Sequence, residues 1–314
     1  MRSASTTQFG LCSAIILFST ACSKGPGFGP GLNEDGSSLA ALMEANVENA
    51  RQHFQVDAAA GGSITGTKGV QVTFGTNAFR NASGTSVIGM VDVSLVEVMD
   101  IGDMIWLNTP TVGNDNGTLR VLQSGGAVYI SARQGGNELL LGPQGMRIIV
   151  PTVDPDPDMG VFVADRTLGA DLVWEPSPSA TIDSVIIETL GGFQYAYALQ
   201  VDSMQWINCD FFPYSLNNTT LTAITTADVP NDSTLVWFVF PTINAVTSSY
   251  GSMPHTFGFS EVPVGLQAVA VGLTREGAFY RSAFTSFTTS AGGSAGLSFQ
   301  PTTLQAFEAA VDAL

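Results

Sequence analysis

The sequence predicts an all-β protein with two β-sandwich-like domains, a short N-terminal helix and a C-terminal helix. Gly, Ser, Thr, Val and Phe are plentiful and Lys is nearly absent, a composition typical of turn-rich β structure. Short runs in which apolar and polar residues alternate are separated by turns that contain Gly or Asn, which is the pattern of a sandwich or barrel. Helical and strand segments do not alternate along the chain, so a doubly wound α/β fold is excluded.

The N-terminal residues 1–21 have the features of a signal peptide. Arg2 is the only charged residue before Cys22, and the segment from Phe9 to Ala21 is apolar or small. This segment is shorter than the roughly 20 apolar residues that a spanning helix needs, so we expect it to be cleaved. Small residues directly before Cys22 resemble a bacterial lipoprotein signal, which predicts lipidation of Cys22. Ordinary secretion with cleavage near Ala21 is the alternative.

Lipidation would attach the protein to a membrane through acyl chains on Cys22, since each buried CH₂ contributes ~0.8 kcal/mol. Ser23 rather than Asp follows the cysteine, which resembles the sorting rule for the outer membrane of Gram-negative bacteria. We therefore expect an outer-membrane lipoprotein on the periplasmic or cell-surface face. The Gly- and Pro-rich residues 22–36 predict a flexible, lipidated tether.

The charge of the chain excludes one class of partner. The sequence has 27 Asp and Glu against 11 Lys and Arg, for a formal net charge of −16. Such a field repels nucleic acid, so no nucleic-acid partner is expected. Of the three cysteines, Cys12 lies in the signal and Cys22 carries the lipid. Cys209 is then left without an intrachain partner, and we expect a buried, inert thiol.

An amphipathic helix is predicted over 37–54, because apolar residues recur every three or four positions. Ser37 or Ser38 can cap its first turn, and no other helix is expected before the C-terminal one. Alternation with a period of two then predicts a first β-sandwich domain over 55–150. The apolar run 104–107 is assigned to one of its short strands.

Residues 151–165 contain three prolines and four aspartates and are predicted to be an acidic, Pro-rich linker between domains. A second β domain is expected over 166–300. Its clearest strand is 193–201, where aromatic and aliphatic residues alternate with smaller or polar ones. A Pro-Thr-Thr sequence then opens a C-terminal helix over 301–314.

Over residues 54–314 the order of several short blocks resembles a known β-sandwich family. The blocks are Phe54-Gln55-Val56-Asp57, Gly61-Gly62, Gly66-Thr67-Lys68-Gly69, Gly89-Met90-Val91-Asp92-Val93, Gly102-Asp103-Met104-Ile105, Ser124-Gly125-Gly126, Met159-Gly160-Val161-Phe162, Trp174 and Trp206-Ile207-Asn208-Cys209-Asp210. In this order they resemble uncharacterised bacterial surface lipoproteins, whose β-sandwich domain is similar to that of ankyrins, netrin receptors and zonula occludens proteins. In the animal proteins the domain serves protein contacts. By analogy, the resemblance implies a non-catalytic interaction or structural module of the cell envelope with a protein partner.

A ligand platform is the second candidate feature, because exposed aromatic residues beside Asn and Asp are common in sugar sites. The candidate residues are Trp206, Asn208, Asp210, Phe211 and Tyr214. A platform of this kind predicts a glycan-binding accessory lipoprotein. The alternative is the edge of a core, since aromatic side chains mostly supply buried area.

The spacing of Asp154, Asp156 and Asp158 resembles the start of a calcium loop, in which alternate carboxylates converge on one ion. Met159 stands where that loop needs a glycine, and the intervening prolines favour an extended chain. These aspartates are therefore weak metal candidates, and an acidic linker is expected instead.

No catalytic motif lies in the structural context that its chemistry needs, so we predict no catalytic residues and no cofactor. His53 and His255 lack the spacing of a zinc site. Gly292-Gly293-Ser294-Ala295-Gly296 has the Gly-x-Ser-x-Gly spacing, but it lies within a predicted β region and not between a strand and a helix, so no nucleophile elbow for a hydrolase triad is expected. A hydrolase that uses two carboxylates remains a third possibility, because sequence does not give the distance between acids.

Overall fold

A computed structural model describes residues 38–164, 172–189 and 192–314. Strands dominate these residues, and helices lie near both ends of the described chain. The predicted all-β class with short N- and C-terminal helices is therefore confirmed. No helix among the described residues is both long and apolar enough to cross a membrane. The predicted signal peptide, the lipidation site Cys22 and the tether lie outside the described residues.

The elements follow one another as short strands with few interruptions. Up to Phe211 they are α1 Leu39–Asn49, β1 Gln52–Asp57, β2 Gly62–Thr65, β3 Gln71–Phe74, β4 Phe79–Arg80, β5 Met90–Val98, α2 Ile101–Trp106, β6 Val112–Asp115, β7 Thr118–Val121, β8 Gln123–Gln134, β9 Asn137–Glu138, β10 Leu140–Leu141, β11 Met146–Thr152, β12 Gly160–Ala164, β13 Glu175–Pro176, β14 Thr181–Thr189, β15 Gly192–Val201 and β16 Trp206–Phe211. The remaining elements are β17 Asn218–Ile224, β18 Thr234–Phe240, β19 Ala245–Ser248, β20 Tyr250–Met253, β21 Thr256–Pro263, β22 Gln267–Glu276, β23 Phe279–Thr288, β24 Ser294–Gly296, β25 Gln300–Thr302 and α3 Leu304–Val311, with 3₁₀ turns at Asn231–Ser233 and Pro241–Ile243.

The first sandwich consists of two antiparallel sheets. One has the strand order β1-β5-β8-β16-β12-β13, with β9 paired to β8, and the other has the order β14-β15-β11-β3-β2. Both sheets direct aliphatic side chains into one buried core, which includes Val93, Ile130, Ile148 and Leu199. Because successive side chains of a strand point to opposite faces, this shared core explains the period-two pattern of the sequence.

The second sandwich packs the sheet β20-β21-β17-β24 against the sheet β19-β18-β22-β23-β25. Phe238, Phe259 and Ala270 belong to its core. The β6–β7 hairpin precedes this sandwich by a long stretch of chain, yet its residues Val112 and Val121 are buried in the same core. The second sandwich therefore includes a hairpin that comes from within the sequence of the first sandwich. The two sandwiches are not formed by two separate lengths of the chain.

A third apolar cluster joins the helices to both sandwiches. Trp106 of α2 and Trp237 of β18 contact Phe307 of α3, with ring centroids 5.8 and 6.4 Å apart. Trp174 and Trp206 from the first sandwich are buried in the same cluster. Large aromatic side chains bury much apolar area, so this cluster is a substantial part of the contact between the sandwiches.

The strand pairing corrects the predicted domain boundary at 151–165. Beyond this segment, β15 pairs with the whole of β11, and β16 pairs with β8. The prolines and aspartates end a strand and form a turn, but the strands that follow still find partners in the sheets already begun. Apart from the β6–β7 hairpin, which packs in the core of the second sandwich, the first sandwich therefore extends to Phe211 and the second begins at Asn218. These ranges replace the predicted domain ranges 55–150 and 166–300.

The N-terminal helix is shorter than the predicted 37–54. Ser38 Oγ accepts a hydrogen bond from Ala41 N at 3.2 Å and caps α1, as predicted for one of the two serines. The helix ends at Asn49, and residues 52–57 form β1, which pairs with β5. Pairing with a neighbouring strand satisfies the backbone groups of this segment and overrides its local helical pattern.

Two further elements differ from the sequence prediction. The C-terminal helix, expected over 301–314, is confined to α3, and Thr303 Oγ1 caps it by accepting from Ala306 N. The apolar run 104–107 lies in and just beyond helix α2 and does not form a strand. Asp100 caps α2 by accepting a hydrogen bond from Asp103 N at 2.9 Å. A short apolar run does not by itself distinguish a buried strand from a buried helix.

Candidate functional site

The predicted platform around Trp206 does not form an exposed surface. Trp206, Asn208 and Asp210 lie on β16, which runs between β8 and β12, and each of them is at most 3% exposed. Phe211 is half-buried at the end of the strand, and Tyr214 is exposed in the loop that follows. The platform is therefore corrected to a central strand, because both faces of β16 pack against buried clusters.

A β-bulge interrupts the pairing of β16 with β8. Between Asn208 and Asp210 the register shifts, so that Gly125 and Gly126 of β8 oppose the single residue Cys209. Gly126 has a φ of 118°. A Cβ atom on Gly125 would lie 3.0 Å from both the carbonyl oxygen and the Sγ atom of Cys209. The bulge thus depends on glycine, and it redirects the side chains around it.

The bulge encloses a buried polar network. Asn208 Nδ2 donates a hydrogen bond to Asp210 Oδ2, and Ser124 Oγ donates to Asn208 Oδ1 at 3.5 Å. Burial has the largest effect on Asp210 and raises the pKa of its carboxyl well above the ordinary value, although hydrogen bonds from Ser124, Asn208 and Gly125 act in the opposite direction. The fold therefore favours the neutral carboxylic acid at this position.

Cys209 is buried, as predicted for a structural thiol. Burial raises the pKa of the Cys209 thiol well above its ordinary value, and the neighbouring Asp210 adds to this effect. The thiolate is the nucleophilic form of cysteine. The environment of Cys209 therefore disfavours the form that nucleophilic chemistry needs.

The acidic segment lies beside this bulge. A cavity of about 270 Å³ is lined by Gln123, Ser124, Gly125, Thr152, Asp154, Pro155, Asp156, Pro157, Met159 and Tyr197. Asp156 N donates to Tyr197 Oη at 2.7 Å, and Asp158 N donates to Asp156 Oδ1 at 3.0 Å. The structure thus brings Asp154 and Asp156 to one cavity. Within the described ranges, no three His, Cys, Asp or Glu residues are grouped so that they could hold a metal ion.

The two histidines lie in different sandwiches. His53 is on β1 and its Nδ1 atom lies 3.4 Å from Ser94 Oγ of the paired strand β5. His255 Nδ1 lies 3.4 Å from Thr225 Oγ1. Because they are in separate sandwiches and each contacts a different hydroxyl group, the histidines do not form a common site.

An exposed apolar patch lies on the β14–β15 hairpin. Phe193, Ile186 and Tyr195 are 81%, 63% and 48% exposed. Ile186 is paired with Tyr195 across the hairpin, and Phe193 is two residues from Tyr195 on the same face. Further along that face, Tyr197 and Leu199 enter the core of the first sandwich. We call Phe193, Ile186 and Tyr195 the hairpin patch.

The hairpin patch includes a residue of the edge strand of its sheet. β14 is the last strand of its sheet, and among the described residues only β15 pairs with it. Val185 and Ile187, on the opposite face of β14, are partly buried against a small apolar cluster. An edge strand presents unpaired N–H and C=O groups that can accept a further strand. The hairpin therefore offers both apolar side chains and backbone hydrogen-bonding groups.

The charged residues of the edge strand itself are acidic. Asp183 and Glu188 are the charged residues of β14. In the sequence between Arg147 and Arg275, the only Lys or Arg is Arg166. The edge strand and its neighbours in sequence therefore favour a basic ligand over an acidic one.

The sequence predicted the strand at 193–201 but not the exposure of its first residues. Its alternation shows correctly which side chains share a face, since Tyr197, Leu199 and Val201 are buried together. The signal in the sequence that could have indicated the exposed hairpin patch is the run of three apolar residues at 185–187. Such a run gives a strand apolar side chains on both faces, which is unusual for the edge of a sheet.

Comparisons with known proteins assign no family to this chain. No protein-family model matches it, and no curated protein matches it. Among solved structures, Gamma-CGTase from alkalophilic Bacillus clarkii aligns over 80% of this chain and 41% of that chain, with 9% identity and a TM-score of 0.19. This chain thus spans less than half of that structure. So low a TM-score carries no argument about fold or function.

Proposed function

We propose that this protein is a non-catalytic interaction module of the bacterial cell envelope, anchored to the outer membrane through acyl chains on Cys22. In this proposal, the β14–β15 hairpin binds an extended segment of an envelope protein. The observation that carries the proposal is the hairpin patch beside an open sheet edge. The anchor is inferred from the N-terminal sequence, and the resemblance to surface lipoproteins supports the same location.

The hairpin patch supplies the energy for such a contact. Burial of apolar surface contributes about 25 cal/mol per Å², and exposed aromatic side chains are frequent energetic centres of protein interfaces. The open edge of β14 adds backbone hydrogen bonds to a partner strand, and its side chains select the partner by their alternation. Both features lie on paired strands of the first sandwich, which reduces the conformational entropy that is lost on binding.

The charge of β14 supports one kind of partner. Asp183 and Glu188 on β14 favour a segment that carries Lys or Arg next to apolar residues. A second copy of this chain would place the same acidic strand against β14, and like charges across a strand pair are destabilising. We therefore propose a basic, apolar segment of another protein as the occupant of the edge.

Photo-crosslinking in intact cells tests this proposal. A photoreactive phenylalanine analogue replaces Phe193 in one strain and Phe279 in a control strain. Phe279 is a matched control because it is 77% exposed on the β22–β23 hairpin of the second sandwich. We expect one discrete adduct from position 193 and none of that mass from position 279.

The variant Ile186→Lys shows whether the adduct depends on the hairpin patch. A lysine at the edge removes apolar area and blocks strand addition, so the adduct from position 193 should disappear. An adduct that persists in the Ile186→Lys variant contradicts the proposal. So does an adduct that contains two copies of this chain.

A further inference from the structure

Three loops between strands meet at one end of the second sandwich. They are 212–217, 264–266 and 289–293. Val264 N donates a hydrogen bond to Asn217 O at 3.0 Å, which joins the first loop to the second. Gly265 N donates to Thr289 O at 2.9 Å, which joins the second loop to the third. The three loops therefore form one continuous surface, which we call the loop end.

The loop end has no charged residue. None of its three loops contains Asp, Glu, Lys, Arg or His, and neither does strand β17 or the segment 282–307. Glu261, on the strand that leads into the second loop, is paired with Arg120 at 3.1 Å, and Arg120 is also paired with Asp115 at 3.1 Å. The whole chain has a formal net charge of −16. The loop end is therefore an uncharged part of a strongly acidic molecule.

The loop end also exposes large apolar side chains. Leu216, Tyr214 and Val264 are 104%, 72% and 41% exposed. The ring of Tyr214 lies 5.8 Å from that of Phe212, which in turn lies 5.5 Å from the ring of the buried Phe162. These ring contacts attach the first loop to the body of the protein, while the side chain of Leu216 stays in solvent. Transfer of Leu216 out of water is thus favourable and costs the fold nothing.

We propose that the loop end contacts the surface of a lipid bilayer, with Leu216 and Tyr214 in the head-group region. This inference rests on the proposed location of the protein at a membrane. A bilayer accepts apolar side chains without requiring an opposite charge, and tyrosine is favoured where lipid meets water. Anionic head groups repel the acidic remainder of the surface. The uncharged loop end approaches them at a lower electrostatic cost.

A small contact of this kind is sufficient in a protein that is already attached to the membrane. Three side chains bury little apolar area, so the loop end alone binds weakly. An anchor raises the effective concentration of the loop end at the bilayer. The predicted tether 22–36 can extend to at most about 50 Å, which leaves the body free to turn. The contact then orients the body, and it uses none of the residues of the hairpin patch.

Fluorescence quenching on vesicles tests this proposal. The chain 22–314 with Cys22→Ser is attached through an N-terminal histidine tag to phosphatidylcholine vesicles that contain a nickel-chelating lipid. Attachment then does not require acylation, so failure of this proposal is distinguishable from failure of the anchor. A fluorophore is attached at Asn217→Cys in the loop end or at Phe279→Cys, where β23 begins at the opposite end of the second sandwich. Cys209 is buried and does not compete for the label.

The vesicles carry a nitroxide group close to the lipid head group, which quenches fluorophores at the membrane surface. We expect the label at Asn217→Cys to be quenched several-fold more strongly than the label at Phe279→Cys. Adding Leu216→Asp should lower the ratio of bound to free loop ends about tenfold or more, because it removes apolar area and introduces a charge. Ile224→Asp, at a position that is 47% exposed at the far end of β17, is the matched control and should leave the quenching unchanged.

Three results would overturn the proposal. The first is equal quenching of the labels at Asn217→Cys and Phe279→Cys. The second is an equal effect of Leu216→Asp and Ile224→Asp. The third is a label at Asn217→Cys that vesicles do not affect but that is shielded from a water-soluble quencher in intact cells, because a protein then covers the loop end.

Discussion

Asp210 shows how one buried side chain can link stability to pH. Its pKa is raised in the fold, mainly by burial, whereas the unfolded chain has the ordinary value of about 3.9. The folded state therefore keeps a proton that the unfolded state releases as the pH rises. The stability that the neutral carboxyl provides is fully present below pH ~4 and is lost as the pH rises toward the folded pKa.

The variant Asp210→Asn tests this linkage. Asparagine keeps a neutral side chain that donates and accepts hydrogen bonds, but it does not titrate. We expect the unfolding free energy of the variant, relative to wild type, to increase with pH above ~4 by up to about 1.4 kcal/mol per pH unit. Urea unfolding from pH 4 to 7 measures it. Asp202→Asn, at an exposed position, is the control. If the difference in unfolding free energy between variant and wild type does not change with pH for either variant, the carboxyl of Asp210 is not neutral in the fold.

At the scale of elements, the strands were predictable and their partners were not. Alternating residues at 193–201 identify β15 and its buried face, because periodicity is a local property. The partner of β15 is β11, which precedes the 151–165 segment in the sequence or overlaps its start. No local pattern in the sequence predicts that pairing. The same limit explains the platform around Trp206. The sequence shows that aromatic and amide side chains follow one another around Trp206. Their burial, however, depends on the neighbouring strands β8 and β12.

The exposure of the hairpin patch has a consequence for stability. Phe193→Ser removes a side chain that contributes little to the core, so we expect the unfolding free energy to change by less than ~0.5 kcal/mol. Leu199→Ala alters the same face of β15 where it is buried, and should cost about 2–5 kcal/mol. Urea unfolding compares the two variants. A large loss for Phe193→Ser would show that the hairpin patch is structural and would argue against a role in binding.

At the scale of the whole molecule, the helices α1, α2 and α3 share one apolar cluster with residues of both sandwiches. The predicted tether and anchor precede α1, so the folded body and the membrane attachment are separate parts of the sequence. A change at Cys22 should therefore alter location without altering the fold.

Membrane fractionation tests the anchor. Cys22→Ser removes the residue that we expect to be lipidated, so the protein should move from the membrane fraction to the soluble fraction or retain its signal peptide. Cys12→Ser changes a cysteine within the predicted signal and should leave the protein in the membrane fraction. Mass spectrometry of the wild-type N-terminus should find an acylated Cys22. An unmodified N-terminus in the wild type, or an acylated N-terminus in the Cys22→Ser variant, contradicts the anchor.

The most direct test of the proposed contact is hydrogen–deuterium exchange of this protein with and without the partner identified by crosslinking. If the partner adds a strand to the open edge, amides of β14, Thr181–Thr189, should exchange more slowly in the complex. β2, Gly62–Thr65, lies at the opposite edge of the same sheet and should exchange at an unchanged rate. Unchanged exchange in β14, or slower exchange in β2 instead, contradicts binding at the β14–β15 hairpin.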